Sequence, residues 1–380
     1  MGRFGLTMRR ICYISGTRAD FGLMCSTLSQ IATVAELSIV ATGMHLSAAH
    51  GSTMSEIEAA GFHIAAQVPV AMEPATGATM ARGIGAMLGA FVSAFEAEKP
   101  DLILLLGDRG EMLAGALAAI HLNIPVAHIH GGERSGTVDE PVRHAISKLS
   151  HIHFAATLGA RARLIAMGED ERHVHVTGAP GIDGLIDDPR QSRAAVAAAY
   201  GLDPDRRLAL MMFHPVLQEA ERAADDARQI LSALNQANVQ IVALMPNADA
   251  GSEGVRAALS AAAGGQSISV QTHLPRAAFL DVMASADIMI GNSSAGIIEA
   301  ASFGTPVLNI GRRQNLRERN ANVIDVASGD DIAAAVQVAL GRGRFTPENI
   351  YGDGQAGARI AALLTHYDLD ESLLMKVNGY

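Results

Sequence analysis

The densest run of ionisable side chains in the 380 residues is HIHGGERSGTVDEPVRHAISK, from His128 to Lys148. It sets His130 and Glu133 around a Gly-Gly turn, then Asp139, Arg143 and His144 at the opening of a helical pattern. Carboxylates and imidazoles gathered at one mouth can remove a proton from carbon and return one. Asp139 and Arg143 stand four apart, so on a helix they share a face and can pair. GDRGE, Gly107 to Glu111, follows the apolar stretch LILLL and leaves Asp108 and Arg109 at the end of a buried strand. Charge there needs a partner or a purpose. His128-x-His130 would turn two imidazoles to one strand face, as a metal site does. No third ligand follows at metal-like spacing, and His151-x-His153 and His173-x-His175 repeat the pattern, so no metal is assigned.

Other residues suit an anion. ADIMIGNSSAGIIEAASFGTPVLNIGRRQ, Ala286 to Gln314, reads as a strand (287–290), a small polar turn, a helix (295–303) and another strand (305–310). Ser293 and Ser294 at the helix start offer hydroxyls, unpaired N–H groups and the positive dipole end, a combination matched to phosphate. Glu299, one turn further in, can accept from ribose hydroxyls. Arg313, after the next strand, is a guanidinium fork for phosphate oxygens. The alternative is an ordinary N-capped helix. Three further turns lie at strand ends: SGTRADFG with Arg18, FHPV with His214, and MPNADAGS with Asn247. Arg18 could hold an anion, His214 would point toward a leaving phosphate, and Asn247 could contact a base or ribose. Simple turns explain the first and third equally well. Gly16 and Gly22 are too far apart for a dinucleotide fingerprint.

The elements that must position these residues alternate strand and helix from end to end. Strands are expected at 10–15, 37–42, 63–68, 102–106, 125–130, 151–155 and 173–177, then at 208–213, 240–245, 268–272, 287–290, 306–310 and 323–326. Runs such as LILLLG and IVALMP are apolar on both faces, as buried parallel strands are. The expected fold is α/β, two Rossmann-like doubly wound parallel-sheet domains facing a cleft. Polar, Pro-bearing sequence at Gly184–Asp205 marks a hinge between domains at 1–185 and 200–350. A tail, 353–380, opens with a helix. Ligands of such sheets bind beyond the carboxyl ends of the strands, where these turns lie.

Composition narrows the partners. A formal charge of −10, 5 Tyr, 10 Phe and no Trp argue against nucleic acid. No apolar run is expected to reach the roughly 20 residues of a membrane span. The first eight residues, MGRFGLTM, carry one Arg and no hydrophobic stretch, so no secretory signal is expected there. Two cysteines, Cys12 and Cys25, fit a reduced cytoplasmic protein.

Taken together, GTRAD, GDR, HIHGGE, SGTVDEPVRHAISKLSH, FHP, NADAGS, GNSSAGIIE and FGTPVLNIGRRQ resemble the hydrolysing UDP-N-acetylglucosamine 2-epimerases in order and spacing, from Arg10 to about Val326. The resemblance implies the GT-B fold, with UDP held mainly by the second domain and the last helix crossing back to the first. It implies anti elimination of UDP from C1 with loss of the C2 proton, giving a 2-acetamidoglucal, then syn hydration to N-acetylmannosamine. By the same resemblance Asp108 and Asp139 are the leading acid/base candidates, and His214 serves the departing diphosphate. Arg18, Ser293, Ser294 and Arg313 hold phosphates, Glu299 the ribose, and Asn247 the nucleotide. Arg109, Arg143 and His144 lie on the sugar side, with Glu133 shaping the pocket. No cofactor is implied, and relatives are commonly dimers or tetramers. One departure stands out: several relatives carry a catalytic glutamate where this chain has His130. That departure is compatible with a branch acting on UDP-N,N'-diacetylbacillosamine, on the way to legionaminic acid, and some relatives take GDP-linked sugars. A GT-B glycosyltransferase, a non-hydrolysing epimerase and an inactive nucleotide-sugar-binding protein are the competing readings.

Overall fold

The computed structural model describes residues 8–47, 53–265, 267–327 and 331–379. Among them the expected strands all form: β1 Arg10–Ser15, β2 Glu36–Thr42, β3 His63–Val68, β4 Leu102–Leu106, β5 Val126–Ile129, β6 Ile152–Ala155, β7 Val174–Val176, β8 Leu208–Met212, β9 Gln240–Leu244, β10 Ile268–Gln271, β11 Ile288–Gly291, β12 Val307–Ile310 and β13 Val323–Val326. The first seven make one sheet in the order β3-β2-β1-β4-β5-β6-β7, and the rest make a second, β10-β9-β8-β11-β12-β13. Every pairing is parallel. In both sheets the strand order reverses at the centre, which opens a crevice beyond the carboxyl edge.

Six helices position the site: α1 Arg18–Ala32, α2 Gly77–Glu98, α3 Gly110–His121, α4 Asp139–Leu149, α5 Ser294–Ile298 and α6 Ala356–His366. A capping box starts α1. Thr17 Oγ accepts from the Asp20 amide (3.1 Å), and the Asp20 carboxylate accepts from the amides of Thr17 (2.7 Å) and Gly16 (3.0 Å). Ser15 and His45 close this buried network, so the turn carrying Arg18 is fixed from below. At the far end of the chain, Ile360, Ala361 and Leu364 of α6 share a core with Phe21, Met24 and Leu28 of α1.

Three expectations change. The helix ending at Glu98 starts at Gly77, capped by Thr76, and is long and apolar enough by length and composition to cross a membrane. One face of it, Met87, Phe91 and Phe95, packs on the first sheet's core. The segment Gly184–Asp205 is not a plain linker. It holds a helix, Arg193–Ala199, whose Arg193 bonds the Asp287 carboxylate (2.7 Å) and the Ser285 carbonyl (2.9 Å). The helix expected at 295–303 is α5 followed by a 3-10 turn, Ala300–Phe303. Five residues carry little macrodipole, so an anion at this turn would have to be met by hydroxyls, amides and arginine.

The tail also braces the helix that bears Asp139. Lys376 Nζ donates to the carbonyls of Ser147 (3.2 Å), Lys148 (2.9 Å) and Ser150 (2.6 Å) at the end of α4, and pairs with buried Glu169 (2.5 Å). A cation on the last carbonyls of a helix is a favourable cap. Lys376→Ala is expected to lower unfolding free energy by about 1–3 kcal/mol in urea titration. An unchanged midpoint would show that the tail only rests on α4.

Candidate active site

Two cavities open at the facing carboxyl edges of the sheets. One, of about 160 Å³, is lined by Arg18, His214, Asn247, Ser293, Ser294, Glu299 and Arg313, so every residue expected to meet the nucleotide reaches it. The other, of about 270 Å³, is lined by Asp108, Arg109, Asp139 and Arg313 on its polar side. Arg313 lies on both. Its guanidinium donates to the Asn292 carbonyl (3.1 Å) and lies 3.7 Å from the Asp139 carboxylate across the cleft.

Local packing explains these positions. Gly291 ends β11 at φ 135°, and a Cβ there would collide with the Met212 carbonyl at the end of β8. Only glycine lets the two strand ends approach and present Ser293 and Ser294 beside His214. Asn292 fixes His214 from both sides, accepting from its amide and donating to its carbonyl, each at 2.8 Å. The halves meet as closely at Gly136, where a Cβ would strike the Arg312 carbonyl.

Two buried histidines have opposite tautomers. The amide of Asn247 donates to His214 Nδ1 (3.3 Å), so the neutral ring carries its proton on Nε2 and can donate into the first cavity. Burial, then the Arg313 cation, holds His214 down at about 3. His130 Nδ1 faces the Glu133 carboxylate, so its proton sits on Nδ1 and its lone pair on Nε2. Burial, then Arg317, holds His130 down at about 3 as well. Glu299 is fully buried, and desolvation pushes its carboxyl up against the opposing pull of its ion-pair partner Arg276.

Several sequence-derived positions need correction. His130 is outside β5, in the turn at φ 64°, and shares no strand face with His128. His128 Nε2 donates to the Gly107 carbonyl (2.7 Å), holding the GDR turn. The other pairs are structural: His153 binds Glu169 (2.8 Å), and His173 and His175 both reach the Tyr367 hydroxyl (2.8 and 2.9 Å). Arg143 does not pair with Asp139. It is fully buried, points inward along α4, and ion-pairs with Asp108 while donating to the Glu133 carbonyl (3.1 Å). His130, Glu133 and Arg143 thus stand behind Asp108 rather than on the cavity wall. His144 turns toward Glu140 (3.9 Å) and lines neither cavity.

Sequence reasoning missed Arg276, Glu111 and Arg317. Arg276 opens a helix after β10 and was findable by the strand-end rule that found the others. Glu111 orients Arg109, accepting from its Nε (2.7 Å), while Arg109 also faces Asp249 of the other half (3.7 Å). Arg317 sits in irregular chain, where no periodic signal exists.

The low histidine values have a consequence for stability. His128, His130 and His214 all fall to about 3 when folded, chiefly through burial, against an ordinary 6.5. The unfolded chain therefore binds more protons below 6.5. Their contribution is fully present above that pH and is lost as pH falls toward 3, by about 1.4 kcal/mol per pH unit for each ring. Urea unfolding at pH 7 and pH 5 should show a marked drop at the lower pH; equal midpoints would contradict the buried neutral assignment.

A family model described as UDP-N-acetylglucosamine 2-epimerase matches residues 29–365. The chain is 46% identical over 376 residues to the hydrolyzing UDP-N,N'-diacetylbacillosamine 2-epimerase of Legionella pneumophila, covering 98% of this chain and 100% of that protein. It is 36% identical over 354 residues to a UDP-N-acetylglucosamine 2-epimerase of Neisseria meningitidis, covering 91% of this chain and 92% of that one. Among solved structures, a UDP-GlcNAc 2-epimerase from Neisseria meningitidis bound to UDP-GlcNAc superposes with a TM-score of 0.78 at 20% identity, covering 93% of this chain and 99% of that one. That likeness identifies the fold as GT-B-like. With most of its length matched by the family model and by a full-length relative, the chain belongs to the UDP-N-acetylglucosamine 2-epimerase family.

Proposed function

We propose that the protein is a hydrolysing 2-epimerase acting on UDP-N,N'-diacetylbacillosamine. The observation that carries the chemistry is the junction at Arg313, which lines both cavities and faces Asp139 at 3.7 Å. A diphosphate held there by Arg18, Ser293, Ser294 and Arg313 puts the sugar's C1 and C2 beside Asp108 and Asp139. Asp108 and Asp139 share the acid and base duties. One carboxylate takes the C2 proton while the C1–O bond breaks with its electron pair going to UDP, leaving a C1=C2 double bond. His214 donates Nε2–H to the departing oxygen. Water then adds its oxygen to C1, and a proton returns to C2 on the opposite face from the one lost. Residues 1–185 and 200–350 act as the two units that close over the substrate.

The sugar identity rests on the 46% identical relative and on the wall opposite the acids. Val70, Ala71, Met72, Met80, Ile84, Met87 and Leu217 make it apolar. A 4-hydroxyl or 6-hydroxyl facing that wall would lose hydrogen bonds to water without replacement. An acetamido methyl and a 6-deoxy methyl would instead bury there, worth about 0.8 kcal/mol per carbon.

Proton NMR of the protein in D2O with UDP-N,N'-diacetylbacillosamine, and with UDP-N-acetylglucosamine in parallel, tests both parts. Released UDP with a manno-configured sugar deuterated at C2, formed at least about tenfold faster from the diacetamido substrate, is expected. Faster turnover of UDP-N-acetylglucosamine would overturn the sugar. A product still joined to UDP would overturn hydrolysis.

A further inference from the structure

We propose that Arg317 is a positioning residue for the proton chemistry, supplied across the cleft by the half that carries the nucleotide cavity. Arg317 follows β12 in the same irregular segment as Arg313. Its side chain is only 7% exposed, and its Nε donates to Gln314 Oε1 (2.5 Å). Arg319 braces the segment, donating to the carbonyls of Gln314 (2.6 Å) and Arg317 (2.8 Å) while bound to Asp325 (2.9 Å). From this mount Arg317 reaches the first half, ion-pairs with Glu133, and stands 3.9 Å from Asp108.

Glu133 uses its two oxygens differently: one meets Arg317, the other His130 Nδ1. Arg317 therefore fixes the carboxylate that fixes the imidazole. The charged and titratable groups around His130 are Glu133 in its own turn, Arg317 after β12, Glu299 at the end of α5 and His128 on β5. Asp108 faces Arg317 from the cavity side, and Arg143 holds the Glu133 carbonyl. Without Arg317, Glu133 would be a buried carboxylate with His130 as its nearest proton source, and the ring would gain a proton at higher pH. With Arg317 in place, His130 stays neutral with its lone pair on Nε2, and a cation stands over Asp108. Arg317 reaches Glu133 and Asp108 only where the two halves meet, so it is set in place by the same approach that puts Arg313 opposite Asp139.

The activity arm of the test rests on the proposed epimerase reading; the spectroscopic arm does not. Arg317→Met and Arg317→Lys are compared with the unaltered full chain. For the Met variant, kcat is expected to fall about 100-fold with KM changed less than about threefold. The acid limb of its kcat/KM profile should move up by about one pH unit. Lysine restores charge but cannot span Glu133 and Asp108 as a fork, so it should lose about tenfold in kcat and leave the limb in place. Histidine-selective 15N NMR without substrate should show the His130 midpoint rising in the Met variant and not in the Lys variant. An unmoved His130 midpoint overturns the proposal. Weakened UDP binding with unchanged kcat does so too, making Arg317 a nucleotide ligand. Should the Met variant fail to fold, full activity in the Lys variant would be equally fatal. An unaltered chain that turns over no UDP-sugar removes the epimerase reading and leaves the NMR arm to decide Arg317.

Discussion

Asp139→Asn is expected to lower turnover by about 1,000-fold while leaving the fold intact and UDP bound at least as tightly. Asp139 opens α4, is partly exposed to the second cavity, and faces the Arg313 guanidinium at 3.7 Å, with Arg109 acting on it from further off. An amide has nearly the same shape and cannot take a proton from carbon. It also ceases to compete with a diphosphate for the Arg313 guanidinium, so product affinity should hold or rise. Steady-state kinetics with UDP titration by calorimetry separates the two effects. A loss below about tenfold would remove Asp139 from the chemistry and leave Asp108 to act alone.

Arg143→Met should destabilise the protein by about 3–5 kcal/mol, the usual penalty for removing one partner of a buried ion pair. The sequence suggested a sugar contact, yet the Arg143 side chain is fully buried and lines neither cavity of the cleft. Its guanidinium holds the Asp108 carboxylate and ties the Glu133 carbonyl (3.1 Å) and Ser135 hydroxyl (3.4 Å) to α4. Methionine fills the volume but leaves those oxygens without a donor and Asp108 facing only Arg317. Equilibrium unfolding in guanidinium chloride reads the loss directly. A variant with native stability and a raised KM would return Arg143 to the sugar pocket.

Legibility in the sequence followed the range of the interaction. Strand–helix alternation, the apolar runs and the turns at strand ends depend on neighbours a few residues away, so β1 to β13, and the gathering of Arg18, His214, Asn247, Ser293, Ser294, Glu299 and Arg313 at one cavity, could be read directly. The motifs likewise named Asp108 and Asp139 as facing the sugar side, and the cavity receives both. Helix periodicity alone misassigned Arg143, because four-residue spacing allows a pair with Asp139 but says nothing about a stronger partner 35 residues away. Strand alternation likewise kept His130 on the strand, whereas the backbone turns to φ 64° to bring the ring against Glu133.

What the tertiary structure alone decided is the layer behind the acids. Arg317 has no helical or strand pattern around it, and its value comes from two carboxylates contributed by the other half. The tautomers of His130 and His214 were equally hidden, since each is set by what meets Nδ1, a carboxylate in one case and a backbone amide in the other. Residue types and local order are properties of the chain. Which charge is desolvated against which partner depends on the approach of two sheets, and no local spacing encodes it.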